Sequence, residues 1–293
     1  MTFVHRPVLL QEVLEGLGLK PGAAVLDATV GLGGHAEAML KAMGPAGRLI
    51  GMDRDREALE LARAKLSDFG DSVIFIHGNF GELGKMLDQA GERELDAALF
   101  DLGVSSLQLD KGERGFSFSR EGPLDMRMDP DQETTAAHLI NHLSPVDLER
   151  LIREYGEERW AGRIAKVLTR GRPFSTTSQL AEAIRSAVPA GARHGRIDPA
   201  TRAFQAVRMA VNREQEELSS ALPQAINRLK SGGRIAVLSY HSLEDRVVKN
   251  CFRALAREGV LKLITKKPVR PSEQETAENP RSRSARLRVA EKI

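Results

Sequence analysis

Between about residues 22 and 102, short apolar runs alternate with stretches whose apolar residues recur at helical spacing. Ala23–Ala28, Arg48–Met52, Val73–Ile76 and Ala97–Leu102 are short apolar runs of strand length, so the pattern predicts strands there. Ala36–Met43, Arg56–Phe69 and a looser Leu83–Ala90 are the predicted helices between them, and Gly44-Pro45 and Gly70-Asp71 supply the stops. Strands alternating with helices in this way read as βαβ units around a parallel sheet.

The alternation lapses from about Leu107 to Arg202, where no convincing strand appears. Lys111–Pro130 is rich in Gly, Arg, Asp, Met and Pro and reads as a long loop. Beyond it, Ser144-Pro145 opens a helix over Val146–Tyr155, Glu157–Arg170 ends at Gly171, and Thr177 or Ser178 caps Gln179–Val188. Asp198-Pro199 then opens a long helical stretch through Glu217, followed by a helix over Ala221–Lys230. A fifth strand over Arg234–Ser239 and a helix over Ser242–Arg257 resume the α/β pattern. Late strands at Leu261–Thr265 and Leu287–Ala290 flank a basic loop, Lys266–Ser284. The simplest organisation is a discontinuous α/β domain, 1–106 with 203–293, interrupted by a helical domain over 107–202.

Composition changes this picture little. At 41% hydrophobic and 28% charged, the 293 residues can bury a sizeable core. No apolar window long enough to span a membrane is present, and the N-terminus lacks a basic-then-apolar signal pattern, so a cytoplasmic protein without a membrane partner is expected. Cys251 is the single cysteine, which excludes an internal disulfide and a thiol metal cluster. The histidines are scattered, with His138 and His142 one helical turn apart, and no metal site is expected. A serine-hydrolase elbow of the Gly-x-Ser-x-Gly type is absent. Net charge is only +3, but Lys262–Ile293 holds nine Lys/Arg against four Asp/Glu, a bias compatible with nucleic acid or with a solvated terminal face.

The candidate chemistry starts at Val25–His35, where a predicted strand passes through Gly31, Gly33 and Gly34 into a helix. A glycine turn at a helix N-terminus makes a nucleotide-type binding corner. The dinucleotide pattern wants a further glycine at position 36, where this chain has Ala36. The shorter turn suits a ligand without a pyrophosphate, such as the aminoacyl part of S-adenosylmethionine. Asp53, twenty residues beyond Gly33 and at the end of the second strand, can accept both ribose hydroxyls, while Asp55 is placed to cap the next helix. Phe80, just past the third strand, is either an adenine platform or a core aromatic. Asp101 ends the fourth strand, where an acceptor would engage a target amino group; a structural turn-capping role is the alternative.

Several longer blocks add a resemblance. They are His5-Arg-Pro-Val-Leu, Asp27-Ala-Thr with Gly33-Gly34-His35, Phe100-Asp-Leu-Gly-Val-Ser-Ser106, Gly115-Phe-Ser-Phe-Ser119 and Gly122-Pro-Leu-Asp-Met-Arg-Met-Asp129. Pro199-Ala-Thr-Arg202 with Phe204-Gln-Ala206, Ser239-Tyr-His-Ser-Leu-Glu-Asp-Arg246 and Arg281-Ser-Arg-Ser-Ala285 follow in order. Over nearly its whole length the chain resembles the bacterial 16S rRNA (cytosine-N4)-methyltransferase family (RsmH, formerly MraW). Asp198, before the Pro-Ala-Thr-Arg block, is a departure from the family pattern. The resemblance implies a class I, Rossmann-like S-adenosylmethionine-dependent methyltransferase fold with an inserted all-helical, RNA-recognising domain. It implies methyl transfer to N4 of a P-site cytosine, with 16S rRNA in the small ribosomal subunit or a late precursor as partner, and it leaves a homodimer open. By family position the cofactor touches Gly33, Gly34, His35, Asp53, Phe80, Asp101 and Gln108, and Asp101 is the catalytic residue; His35 and Gln108 rest on the resemblance alone. Arg114, Arg120 and Arg127 in the long loop, with Lys266, Lys267, Arg270, Arg281, Arg283 and Arg286 in the tail, are expected to hold the RNA backbone.

Overall fold

The computed structural model describes residues 6–193 and 198–293; His5, which opens the first of the quoted blocks, and His194 lie outside them. The chain divides into two compact units, one of residues 1–103 and 215–293 and one of residues 104–214.

The first unit is built on a seven-stranded sheet of order β3-β2-β1-β4-β5-β7-β6. Its strands are β1 (Ala24–Asp27), β2 (Arg48–Asp53), β3 (Val73–His77), β4 (Leu95–Asp101), β5 (Leu229–Ser239), β6 (Leu261–Leu263) and β7 (Arg286–Lys292). β1 to β5 are parallel, and β7 runs antiparallel between β5 and β6. Side chains alternate across a strand, so the apolar runs serve two faces at once. Val25, Leu99 and Leu238 enter the core on one face, with α1 (Leu10–Leu17), α2 (Gly34–Met43) and α3 (Arg56–Lys65). Leu26, Phe100 and Val237 enter the core on the other, with α4 (Leu83–Gln89) and two later helices, Glu214–Arg228 and Ser242–Arg257. Strand order reverses between β1 and β4, and the reversal opens a crevice at their carboxyl ends. This is a Rossmann-like, mostly parallel α/β sheet.

The second unit is helical: α5 (Ser106–Asp110), α6 (Ala136–His142), α7 (Pro145–Gly156), α8 (Ala161–Gly171), α9 (Thr177–Ala187), α10 (Ala190–Arg193) and α11 (Ala200–Asn212). Its core gathers Ile140, Leu148, Ile152, Ile164, Leu168, Leu180, Ile184 and Phe204. Ser144 caps α7 with Pro145 in the first turn, and Thr176, one residue before the expected cap, closes a capping box with Gln179 on α9. The expected junction at 202/203 falls inside α11, which packs on α7 and belongs wholly to this unit. Asp198 accepts the backbone N–H of Ala200 at 2.8 Å and pairs with Arg185 at 2.9 Å, so the departing residue supports the start of α11.

Several expected elements differ: the helix expected over Glu157–Arg170 begins only at Ala161, and the one over Ala221–Lys230 gives way to β5 at Leu229. The long helix through Glu217 is two helices, α11 and α12 (Glu214–Arg228), broken at Arg213 with φ of 50°. The helix Arg56–Phe69 stops at Lys65 and passes into a 3₁₀ turn, Ser67–Ser72. After α13 (Ser242–Arg257), the basic loop contains a short helix, α14 (Glu273–Glu278). The loop 111–130 is mostly irregular and is pinned by Asn212, which is buried. Asn212 Nδ2 donates to the carbonyl of Met126 at 2.8 Å, and its Oδ1 accepts the N–H of Met128 at 2.8 Å.

Replacing a buried side chain that satisfies two backbone groups leaves both desolvated and unpaired. Asn212→Ala is expected to destabilise the helical unit by about 2–3 kcal/mol. Trp160 is the sole tryptophan and lies in this unit, so its fluorescence during urea unfolding reads the effect. An unchanged midpoint would show that the loop does not depend on Asn212.

Candidate active site

The sheet crevice receives the ends of β1, β2, β4 and β5, and each end brings a polar side chain. Asp27 ends β1 and is buried; its Oδ1 accepts the N–H of Thr29 at 3.2 Å. The chain then turns through Gly31 (φ 52°) and Gly33 (φ 76°), left-handed conformations that a Cβ would strain. Gly33 precedes α2 and offers no side-chain cap, so the leading N–H groups of that helix point at the crevice without a capping oxygen.

Two hydrogen bonds tie this turn to the neighbouring strands. Gly31 N–H donates to Asp53 Oδ2 at 2.8 Å, and Asp101 N–H donates to Thr29 Oγ1 at 2.6 Å. Asp53 Oδ1 also accepts the N–H of Asp55 at 2.9 Å, while Asp55 itself caps α3 as expected. Burial pushes the Asp53 carboxyl up to about 6, against the opposing effect of these N–H donors.

Asp101 is held from two sides. The Tyr240 hydroxyl donates to Oδ1 at 2.8 Å, and His35 Nδ1 lies 3.4 Å from Oδ2. The other ring nitrogen of His35 is 3.0 Å from the Val8 carbonyl, which can only accept, so Nε2 carries a proton. Burial alone would lower the His35 pKa, but Asp101, Asp27 and the Val8 carbonyl outweigh it and hold the imidazole above its ordinary value. Burial and then Asp101 raise the Tyr240 phenol well above its usual range, so it stays a donor. The Asp27 carboxyl is pushed up to about 7, by burial first and by the charges of Asp101 and Asp53, with His35 opposing. Three carboxyl groups, one imidazole and an open helix N-terminus therefore share one corner. The arrangement favours a ligand carrying positive charge with a carboxylate or hydroxyls beside it.

Of the residues expected from the sequence, Gly33, Gly34, His35, Asp53 and Asp101 meet at this corner. Phe80 opens the turn after β3, and its ring packs edge-on against Phe100 with centroids 5.8 Å apart, leaving it partly exposed. Gln108 lies in the helical unit, where its Oε1 accepts the N–H of Ser105 at 3.0 Å in a capping box on α5. Sequence reasoning missed Asp27, Thr29 and Tyr240. Tyr240 immediately follows β5, so extending to the fifth strand the rule that found Asp101 would have found it.

The family assignment rests on the whole chain. A model of the MraW methylase family matches residues 2–293. The chain belongs to that family. Proteins named ribosomal RNA small subunit methyltransferase H resemble this methylase along their full length. That of Pelobacter propionicus is 49% identical over 99% of both chains, and that of Geobacter sulfurreducens 49% over 100% of both. That of Heliobacterium mobile is 47% identical, again over 100% of both chains.

The raised Asp27 pKa has a consequence for stability in this methylase. A carboxyl whose pKa is higher folded than unfolded contributes stability below about pH 4 and loses it as pH climbs through about 7. Between pH 5 and pH 8 the loss is about 2–3 kcal/mol. Asp27→Asn keeps an acceptor for the Thr29 N–H and removes the titration. Its melting temperature relative to the parent is expected to rise by several degrees over that pH interval; a constant difference would place the Asp27 pKa near its ordinary value.

Proposed function

We propose that this methylase transfers a methyl group from S-adenosylmethionine to N4 of the P-site cytosine of 16S rRNA, in the small ribosomal subunit or a late precursor. The observation that carries the reading is Asp101, a carboxylate held from two sides and still partly exposed at the strand-order reversal, next to an uncapped helix N-terminus. The names of the full-length relatives support RNA of the small ribosomal subunit as the substrate class.

The methyl donor is S-adenosylmethionine, which supplies an electrophilic methyl group on a positively charged sulfur. The carboxyl groups of Asp27, Asp53 and Asp101 suit a cation and oppose a pyrophosphate. Gly33, Gly34 and His35 present the leading end of α2 to the donor's amino-acid portion. Asp53 takes the ribose hydroxyls on the lone pairs that the backbone donors of Gly31, Arg54 and Asp55 leave open. Phe80 faces the adenine; Gln108 is assigned to the donor by family position alone.

An exocyclic amine on cytosine is conjugated with its ring and is a poor nucleophile. Asp101 accepts a hydrogen bond from that amine, which favours the lone-pair-bearing form and stabilises the positive charge growing on nitrogen as the new N–C bond forms and the methyl–sulfur bond breaks, leaving neutral S-adenosylhomocysteine and one N4 proton to be shed. Tyr240 and His35 fix the carboxylate from the protein side, so its remaining lone pairs point outward. The base must leave its stack to arrive there.

The helical unit serves RNA recognition in this reading, but its arginines act differently from the expectation. Arg114 donates to the carbonyls of Arg127 and Met128, and Arg127 pairs with Asp125 at 2.8 Å on two nitrogens. Arg120 donates to the Asp110 carbonyl. These guanidinium groups shape the loop that meets the RNA. In the tail Arg286 is tied to Asp245, whereas Lys266, Lys267, Arg270 and Arg283 are exposed and suit phosphate contacts.

Incubation with labelled S-adenosylmethionine and 30S particles lacking the modification is expected to label the P-site cytosine at N4; label elsewhere, or none, overturns the reading. Asp101→Ala is expected to lower turnover by at least about 100-fold while donor affinity changes far less, and equal losses would remove Asp101 from the transfer step.

Donor affinity has its own pH signature. A cation binds best when Asp27 and Asp53 are ionised, so binding releases protons and affinity rises from about pH 5.5 and levels only above about pH 8, a unit beyond the Asp27 value of about 7. S-adenosylhomocysteine lacks the sulfonium charge and is expected to show a flatter profile. Calorimetry of both ligands across this range checks it, and parallel profiles would detach the acidic cluster from the donor.

A further inference from the structure

We propose that one face of α13 is a track for the phosphate backbone of the substrate RNA, leading away from the target base; the inference rests on the rRNA reading above. Helix α13 follows β5 through Tyr240, whose hydroxyl touches Asp101, so its first turn starts beside the site. Its inner face buries Leu243, Val248 and Phe252. Its outer face carries Arg246, Lys249, Arg253 and Arg257, spaced by three, four and four residues, which places them in one stripe.

From Lys249 to Arg257 the charge of this stripe is unbalanced. Like charges at these spacings repel and disfavour the helix, and an ordinary solvated helix offsets them with interspersed acids. Here the first-turn acids Glu244 and Asp245 are turned inward, and Asp245 is held by Arg288 at 2.6 Å and by Arg286 at 3.3 Å. Among the described residues no carboxylate pairs with Lys249, Arg253 or Arg257. The stripe is about 16 Å long at 1.5 Å per residue. A nucleic-acid strand carries a charge roughly every 3.4 Å along its axis, so the stripe faces on the order of four or five phosphates.

At its far end the stripe meets a shallow recess of about 330 Å³ lined by Arg253, Ala256, Arg257 and Leu263. Two guanidinium groups beside an apolar floor suit an unstacked base or a sugar at the end of the track. The stripe is separate from the basic tail loop, and it gives the RNA a path that begins at Asp101 and follows a rigid element.

The test uses the full chain with unmodified 30S particles. The variant Arg253→Gln with Arg257→Gln changes exposed side chains, and Lys249→Gln is a second, independent probe. The double variant is expected to bind 30S particles about tenfold more weakly at ~0.1 M salt, with the slope of log affinity against log salt shallower by about 1.5. Lys249→Gln is expected to flatten the slope by about 0.8. S-adenosylmethionine affinity without RNA should stay within twofold, which separates a lost RNA contact from a misfolded chain. Lys85→Gln with Arg93→Gln, exposed on and after α4, is the control and should leave the slope unchanged. If the parent chain methylates 30S particles while the α13 variants keep its affinity and slope, the track is wrong and the rRNA reading stands. If the parent labels no 30S particle, the rRNA reading itself fails. Weaker binding with an unchanged slope would assign the stripe to a contact other than phosphate and overturn the proposal.

Discussion

The site depends on how the turn after β1 is fastened to its two neighbours. Thr29 takes the N–H of Asp101 from β4, and Gly31 gives its N–H to Asp53 from β2, so one short loop sets the spacing of three strand ends. The constraint is electrostatic as much as geometric. Asp27, Asp53 and Asp101 would repel one another if free to ionise together, and burial has already moved Asp27 and Asp53 upward. Backbone donors, Tyr240 and the raised His35 make the assembly tolerable in the absence of a cationic ligand. The same bonds keep the left-handed glycines in place and leave the end of α2 open.

Charge is sorted by location in this methylase. Acidic groups concentrate at the crevice, where they suit a sulfonium, while cations line the outside of α13 and the tail loop. Such separation keeps the exposed cations of the first unit apart from its buried carboxyl groups. The arginines of the long loop show that residue type alone does not assign a role. Arg114, Arg120 and Arg127 are satisfied by carbonyls and by Asp125, and they maintain backbone shape where no helix or strand does.

The sequence made the half of the fold with regular alternation legible. β1 to β4, the glycine turn, Asp53 and Asp101 all follow from local pattern and from where strand ends fall in an open sheet. What escaped depended on contacts distant along the chain. Tyr240 gains its meaning only because β5 pairs with β4 and brings its hydroxyl to Asp101. The break at Arg213 has neither Gly nor Pro to announce it, although its φ of 50° is left-handed. The cap of α9 lies at Thr176 in a Thr-Thr-Ser run where any of three residues had the chemistry, and the side chain of Gln179 decides between them.

The bond between Tyr240 and Asp101 joins positions 139 residues apart, with the whole helical unit between them. β1 to β4 leave the ribosome long before β5, so during synthesis Asp101 waits at a sheet edge with its partner unmade. The inserted helices can gather their own core in that interval, since their contacts are local and such contacts form early. The Tyr240–Asp101 contact is thus made late in the synthesis of this polypeptide. The order of folding places this bond after the helical unit can complete its own core, so a chain stopped within the insert carries Asp101 without its Tyr240 partner.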